Sequence, residues 1–226
     1  MAPSEVAKSR RPVVTTVFVI RHAESAANAG NYFASQSDSP LSERGVEQAR
    51  ALFDAFASAT IHAVYSSDLS RAVHTVEPLA RARALTVTQT PLLRERNMGD
   101  LTGMTFDAVK TELPELWSRL VARDPSVVPP GGESHFDLGD RVRRVLEEIM
   151  PRHRGESIVI GSHGGTIHHL VRQLLGVHGF DLAFWLHVGN ASVTRVDITE
   201  TASGGIAPRL TYANRMLPSA GEPIFP

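Results

Sequence analysis

The sequence predicts an α/β fold organised on a parallel sheet, and three observations carry that prediction. Residues 13–20 are an apolar, β-branched run of the kind that forms a strand buried on both faces. Residues 61–65 and 157–161 are short runs of the same character, each followed by apolar residues at helical spacing. All three runs stop abruptly at polar residues: Arg21 and His22 after the first, the stretch 66–71 ending in Arg71 after the second, and His163 after the third. Loops that leave the carboxyl ends of parallel strands line the ligand crevice, which brings these residues to one rim. Any one of them alone reads equally well as a solvated residue at a strand end. Two histidines and two arginines together suit a doubly charged phosphate, which arginine binds bidentately. Gly164 and Gly165 let backbone approach such a ligand, and the helix that follows would turn its free N–H groups toward it.

The remaining elements follow in chain order. Residues 1–12 are polar and proline-punctuated and read as a tail, as do residues 218–226, leaving one domain over 13–217. Residues 23–40, rich in Ala, Ser, Asn and Gly, read as a long loop over the site. From Ser42, placed to cap, Val46, Ala49, Leu52, Phe53 and Phe56 mark a helix. Leu69, Ala72, Val76 and Leu79 mark another, with Arg71 in its first turn, where a cation opposes the helix dipole unless an anion lies between them. Residues 84–88 suit a strand, and 92–99 a loop. Helical pieces at 106–109 and 113–121, followed by the proline-rich loop 123–132, form an insertion over about 97–133. Ser134 and Asp137 resemble a capping box ahead of a helix marked by Leu138, Val142, Val145 and Ile149. Arg141, Arg143, Arg144, Arg152 and Arg154 read as a solvated basic side. Segments 184–188, 192–198 and 209–213 alternate as strands that complete the sheet, with Gly204-Gly205 as a hairpin turn.

With 226 residues, 42% of them hydrophobic, the chain fits one domain with an insertion. The net charge of -1, with acidic and basic residues interspersed, argues against nucleic acid or an anionic membrane as partner. The absence of cysteine excludes disulfides, thiolate metal sites and a cysteine nucleophile. No apolar run approaches the roughly 20 residues that span a bilayer, and residues 1–12 lack the apolar core of a secretory signal, so a cytoplasmic location is expected. His168 and His169 lie off the i, i+4 spacing from His163 and have no carboxylate cluster beside them, so no metal site is expected.

Arg21, His22, Glu24, Ser25 and Asn28 resemble the Arg-His-Gly-Glu-Thr/Ser-x-x-Asn signature of the histidine phosphatase superfamily, the phosphoglycerate mutase-like fold. Four further blocks are similar to that family's and stand in its order: Ser67-Asp68-Leu69-x-Arg71-Ala72-x-x-Thr75, Leu93-x-Glu95 with Gly99 and Gly103, Pro130-Gly131-Gly132-Glu133-Ser134, and Ser162-His163-Gly164-Gly165. Asn190-Ala191-Ser192-Val193 resembles a late block.

The resemblance implies a three-layer sandwich, a mostly parallel central sheet flanked by helices, with a small helical insertion over the site. It implies phosphomonoester hydrolysis through a phosphohistidine on His22, with Glu95 as proton donor and His163 as a third catalytic residue. Arg21, Asn28, Arg71, His163 and Ser25 would hold the phosphate, and neither a metal nor a cofactor is implied. The expected partner is a small phosphorylated substrate, and a homo-oligomer stays open. On their own residue types, Asn28 is also a turn asparagine, Ser25 an ordinary loop serine, and Glu95 a surface carboxylate driven toward ionisation by Arg94 and Arg96. Ala23 stands where the family usually has glycine; its methyl costs nothing at negative φ but costs free energy in the left-handed region. Two other activities are compatible with the motifs. One is phosphoglycerate mutase, against which Asn97-Met98 replaces the histidine and tyrosine in which mutases resemble one another. The other is a catalytically silent phospho-ligand-binding domain, to which Ala23 points.

Overall fold

The computed structural model describes residues 12–177 and 185–216. At its centre, β1 (Val14–Arg21) and β4 (Ser157–Ser162) pair in parallel, with Arg21 opposite Ser162. On the far side of β4 lie β2 (Ala63–Ser67) and then β3 (Val87–Thr90), both parallel, while β5 (Val193–Glu200) and β6 (Ile206–Arg215) extend the β1 side antiparallel. The six strands run in the order β3-β2-β4-β1-β5-β6. This register lines up the carboxyl ends of β1, β2 and β4 on one edge, as the three polar exits at Arg21, Ser67 and Ser162 require.

Strand alternation divides the core in two. Phe18 and Ile20 face α2 (Glu43–Ala55) and α3 (Ser70–Arg81), packing with Leu52, Phe56, Val76 and Leu79. Val17 and Val19 face α6 (His135–Ile149) and α7 (Gly164–Leu174), packing with Leu138, Val142, Ile167 and Leu170. Both faces of β1 are thus buried, which makes the sheet the middle layer of a three-layer sandwich. The helices start where their side chains supply caps: Ser42 accepts from the Gly45 N–H, and Ser134 and Asp137 form a reciprocal capping box. A third, smaller cluster of Met98, Leu101 and Val109, with Phe33 and Trp117 against it, holds α4 (Phe106–Glu112) and α5 (Pro114–Val121).

Several sequence expectations need correction. Residues 23–40 are not all loop: Ser25 caps a four-residue helix, α1 (Ala26–Ala29), too short to show a period. The strand expected at 84–88 begins at Val87, because Ala84, at φ 53°, completes the turn after α3 in a left-handed conformation no strand residue adopts. Residues 185–188, expected as a strand, have no ladder. Their backbone is used by side chains instead: the Leu186 N–H donates to His168 Nδ1, and the Val188 carbonyl accepts from Arg21. Phe184, almost all of the 1–12 tail, and the 218–226 tail lie outside the described residues. No helix among those described is long and apolar enough to cross a membrane.

Candidate active site at the carboxyl edge of the sheet

Neighbouring strand ends fix the site. The His22 N–H donates to the Ser162 carbonyl at 2.9 Å and the Arg21 N–H to the Ser192 carbonyl at 3.1 Å, so the end of β1 is clamped between β4 and the start of β5. His163 follows β4 directly and stands at the N-cap of α7. The structure thereby brings His22 and His163 together, with ring centroids 5.0 Å apart.

Both rings are neutral at neutral pH. Burial, reinforced by Arg21 and Arg71, pushes the His22 pKa well below the usual imidazole range. Burial does the same to His163, with His22, Arg71 and Arg21 adding to it. His22 Nδ1 lies 2.7 Å from the Ala23 carbonyl, which can only accept, so Nδ1 carries the proton and Nε2 has the free lone pair. Neither ring nitrogen of His163 has a hydrogen-bond partner among the described residues, nor does Arg21 Nε, although all three are buried. Buried polar atoms are ordinarily paired, so such a concentration at one point marks a ligand position.

Arg71 is 2% exposed, and its terminal nitrogens donate to the Ser35 and Ser37 carbonyls at 2.8 Å each. Burial lowers its pKa, opposed by Glu95 and Asp38, and burial lowers that of Arg21 as well, opposed by Glu95. Ser35 presents its carbonyl from the left-handed region, at φ 50°, an unusual conformation for a non-glycine residue.

Glu95 accepts from the Arg96 N–H at 2.8 Å and from the Gly165 N–H at 3.2 Å. The α7 N-terminus therefore spends one of its free donors on this carboxylate rather than on a ligand. A side chain at position 165 would place its Cβ 2.7 Å from Glu95 Oε1, so anything larger than glycine there displaces the carboxylate. Both flanking arginines have partners of their own, although Arg96 also interacts electrostatically with Glu95. Arg94 forms a bidentate pair with Asp68 at 2.7 and 2.6 Å, and Arg96 donates to the Glu133 and Val127 carbonyls. Arg141, expected on a solvated side, is turned inward. It gathers the loop that carries Glu95 by donating to the Leu92, Arg94 and Glu95 carbonyls and pairing with Glu133 at 2.6 Å. Arg143, Arg144, Arg152 and Arg154 are exposed.

Ser25 and Asn28 line the same cleft and make a capping box for α1. Asn28 Oδ1 accepts from the Ser25 N–H at 3.2 Å and from Asn190 Nδ2 at 3.0 Å, which leaves the Asn28 amide N–H groups as donors. Asn190, which the sequence marked only as part of a late block, also donates to the His22 carbonyl at 3.1 Å and so ties the signature loop to the end of β1. Ala23 has a negative φ, is fully buried, and donates its N–H to Thr75 Oγ1 at 2.9 Å, so its methyl is accommodated without backbone strain. The cleft measures about 240 Å³; it is lined by Arg21, His22, Arg71 and Glu95 together with Met98 and with Tyr32, Phe33 and Phe106, to which the sequence analysis gave no role in the site. No group of three or more histidines and carboxylates suited to a metal ion occurs among the described residues.

The half-buried Arg21, the buried Arg71 and two buried imidazoles meet at the carboxyl edge of parallel strands in an α/β protein. Residues 17–204 match the histidine phosphatase superfamily (branch 1), and the chain belongs to that superfamily. It is 33% identical over 193 residues to "Probable phosphoglycerate mutase GpmB" of Yersinia pestis (strain Pestoides F), covering 84% of this chain and 89% of that one. Among solved structures it is similar to a mycobacterial glucosyl-3-phosphoglycerate phosphatase in complex with VO3, at 30% identity and a TM-score of 0.78, covering 88% of this chain and 98% of that one. It is likewise similar to the alpha-ribazole phosphatase of Shigella flexneri, at 25% identity and a TM-score of 0.77, covering 92% of this chain and all of the other. These phosphatase neighbours support a histidine phosphatase enzyme.

Proposed function

We propose that the protein hydrolyses a small phosphomonoester through a phosphohistidine on His22. The observation that carries this reading is the neutral His22 ring, its proton committed to the Ala23 carbonyl, beside a His163 ring and an Arg21 Nε that lack partners among the described residues. In the first half-reaction His22 Nε2 attacks phosphorus and the bond to the leaving oxygen breaks, while a protonated Glu95 gives that oxygen its proton. Arg21, Arg71, His163 and the Asn28 amide hold the equatorial oxygens, and Ser25, on the cleft wall, would add a hydroxyl by turning its O–H from Asn28 Oδ1 to the phosphate. In the second, Glu95 takes a proton from water whose oxygen attacks phosphorus; the P–N bond breaks, phosphate leaves, and the imidazole is neutral again. The Arg21 and Arg71 guanidiniums supply the positive charge, so the reaction proceeds without a metal ion.

Phosphate release from an aryl phosphate, measured with and without a chelator, tests this. The native protein turns over in both conditions and His22→Ala falls to background while keeping its thermal unfolding transition. An active His22→Ala refutes the assignment, and a native protein inactive across pH 4 to 8 favours a silent binding domain. The name of the Yersinia relative motivates a second reading, phosphoglycerate mutase. Formation of 2-phosphoglycerate from 3-phosphoglycerate, followed beside phosphate release, separates the two.

A further inference from the structure

The phosphoryl end of the cleft accounts for Arg21, Arg71, His22 and His163, and what surrounds the leaving group is different in kind. Tyr32, Phe33, Met98 and Phe106 line that part, with Phe33 and Phe106 edge to face at 4.7 Å. Backbone hydrogen bonds fix this wall: Phe33 N–H to Met104 O at 2.9 Å, Gly103 N–H to Phe33 O at 2.8 Å and Phe106 N–H to Asn31 O at 3.0 Å. Phe106 is nonetheless 36% exposed, and Tyr32 and Phe33 are half-buried. An ordered aromatic wall left partly open beside a polar cup is the usual composition of a small-molecule site, where apolar lining binds and a few polar groups orient.

Among the described residues, the same lining offers no free cation to a second anion. The one other arginine among the described lining residues, beyond Arg21 and Arg71, is Arg96, which is 6% exposed and donates to the Glu133 and Val127 carbonyls. The cleft holds about 240 Å³; a dry cavity of about 150 Å³ accommodates benzene, so there is room for a phosphoryl group and one ring.

We infer that the leaving group is the uncharged, apolar alcohol of a small phosphomonoester, an aryl, arylalkyl or short alkyl chain, and that esters bearing a carboxylate or second phosphate there are poor substrates. This rests on the hydrolase reading above.

The test compares kcat/KM for benzyl phosphate and 4-carboxybenzyl phosphate, whose leaving alcohols have nearly equal acidity, so the ratio reports the cleft and not the chemistry. The native protein prefers benzyl phosphate at least tenfold, and Phe106→Arg, at the exposed start of α4, reduces that ratio at least tenfold. Equal or better turnover of the carboxylated ester overturns the inference and leaves the hydrolase reading standing, since phosphate is released from both. A native preference that Phe106→Arg does not alter overturns the assignment of the aromatic wall. No phosphate from either ester removes the hydrolase reading and the inference with it.

Discussion

Acidification should destabilise this protein over a window set by buried imidazoles outside the active site. His135, His168 and His169 are each less than 10% exposed; His135 Nδ1 lies 3.1 Å from His169 Nε2, and His168 stacks on Trp185 at 3.9 Å. Burial, together with Arg96, Arg123, Arg172 and the neighbouring imidazoles, lowers the pKa to about 3 for His135, about 3 for His168 and about 4 for His169. Because these folded values lie below the ordinary 6.5, the unfolded chain takes up protons first. Stability is therefore whole above about pH 6.5 and declines as the pH falls from there toward 4, with His22 and His163 acting in the same direction. One pH unit below the unfolded value each group costs on the order of 1 kcal/mol, so the three together cost a few kcal/mol at about pH 5.5. That is a large part of a typical stability of about 5–15 kcal/mol. Urea unfolding at pH 7.5 and 5.5, at constant ionic strength, measures the loss, and the fluorescence of Trp185 gives a local readout because its ring lies against His168. An unfolding free energy that is the same at both pH values would refute the reasoning.

Three substitutions probe the site and its support. Glu95→Gln keeps the shape of the side chain and removes the transferable proton, so kcat for an alkyl ester should drop by about 10²–10⁴-fold, with a smaller drop for esters of acidic phenols that need no proton. Gly165→Ala puts a methyl 2.7 Å from Glu95 Oε1, closer than carbon and oxygen pack, and displaces the carboxylate; since a misplacement of about 1 Å costs about 10²-fold, kcat should fall by about 10-fold or more, and a native value in steady-state assays would contradict the placement of Glu95. Gly45→Ala would bring Cβ to 2.0 Å from the Glu24 carbonyl oxygen, a backbone clash that forces α2 away from the signature loop and should cost about 1–3 kcal/mol in thermal or urea unfolding.

What could be read from the sequence was whatever depends on local pattern. The three strand exits carry their signal in an apolar run followed by abrupt polarity, and Ser42, Ser134 and Asp137 announce their helix starts through hydrogen-bonding chemistry within four residues. The features that escaped depend on contacts between distant segments. Arg141 sits among other arginines on α6, and nothing in its neighbours reveals that it folds inward onto the Glu95 loop. Asn190 is an ordinary turn residue until the end of β1 is placed beside it. The aromatic wall joins residues 32–33 to 104–106 through backbone hydrogen bonds that have no sequence code. Ala84 delays β3 because alanine gives no sign of a left-handed torsion, whereas glycine or asparagine would have.

The clamp of His22 onto Ser162 and Asn190 has a consequence for biosynthesis. A ribosome delivers His22 early and must then translate most of the remaining sequence before the partner strand emerges, so β1 waits, unpaired and apolar, for a neighbour encoded far downstream. A chain arrested before β4 would expose its most hydrophobic segment and lack His163 altogether. Chemical competence and protection from aggregation therefore arrive together, late in synthesis.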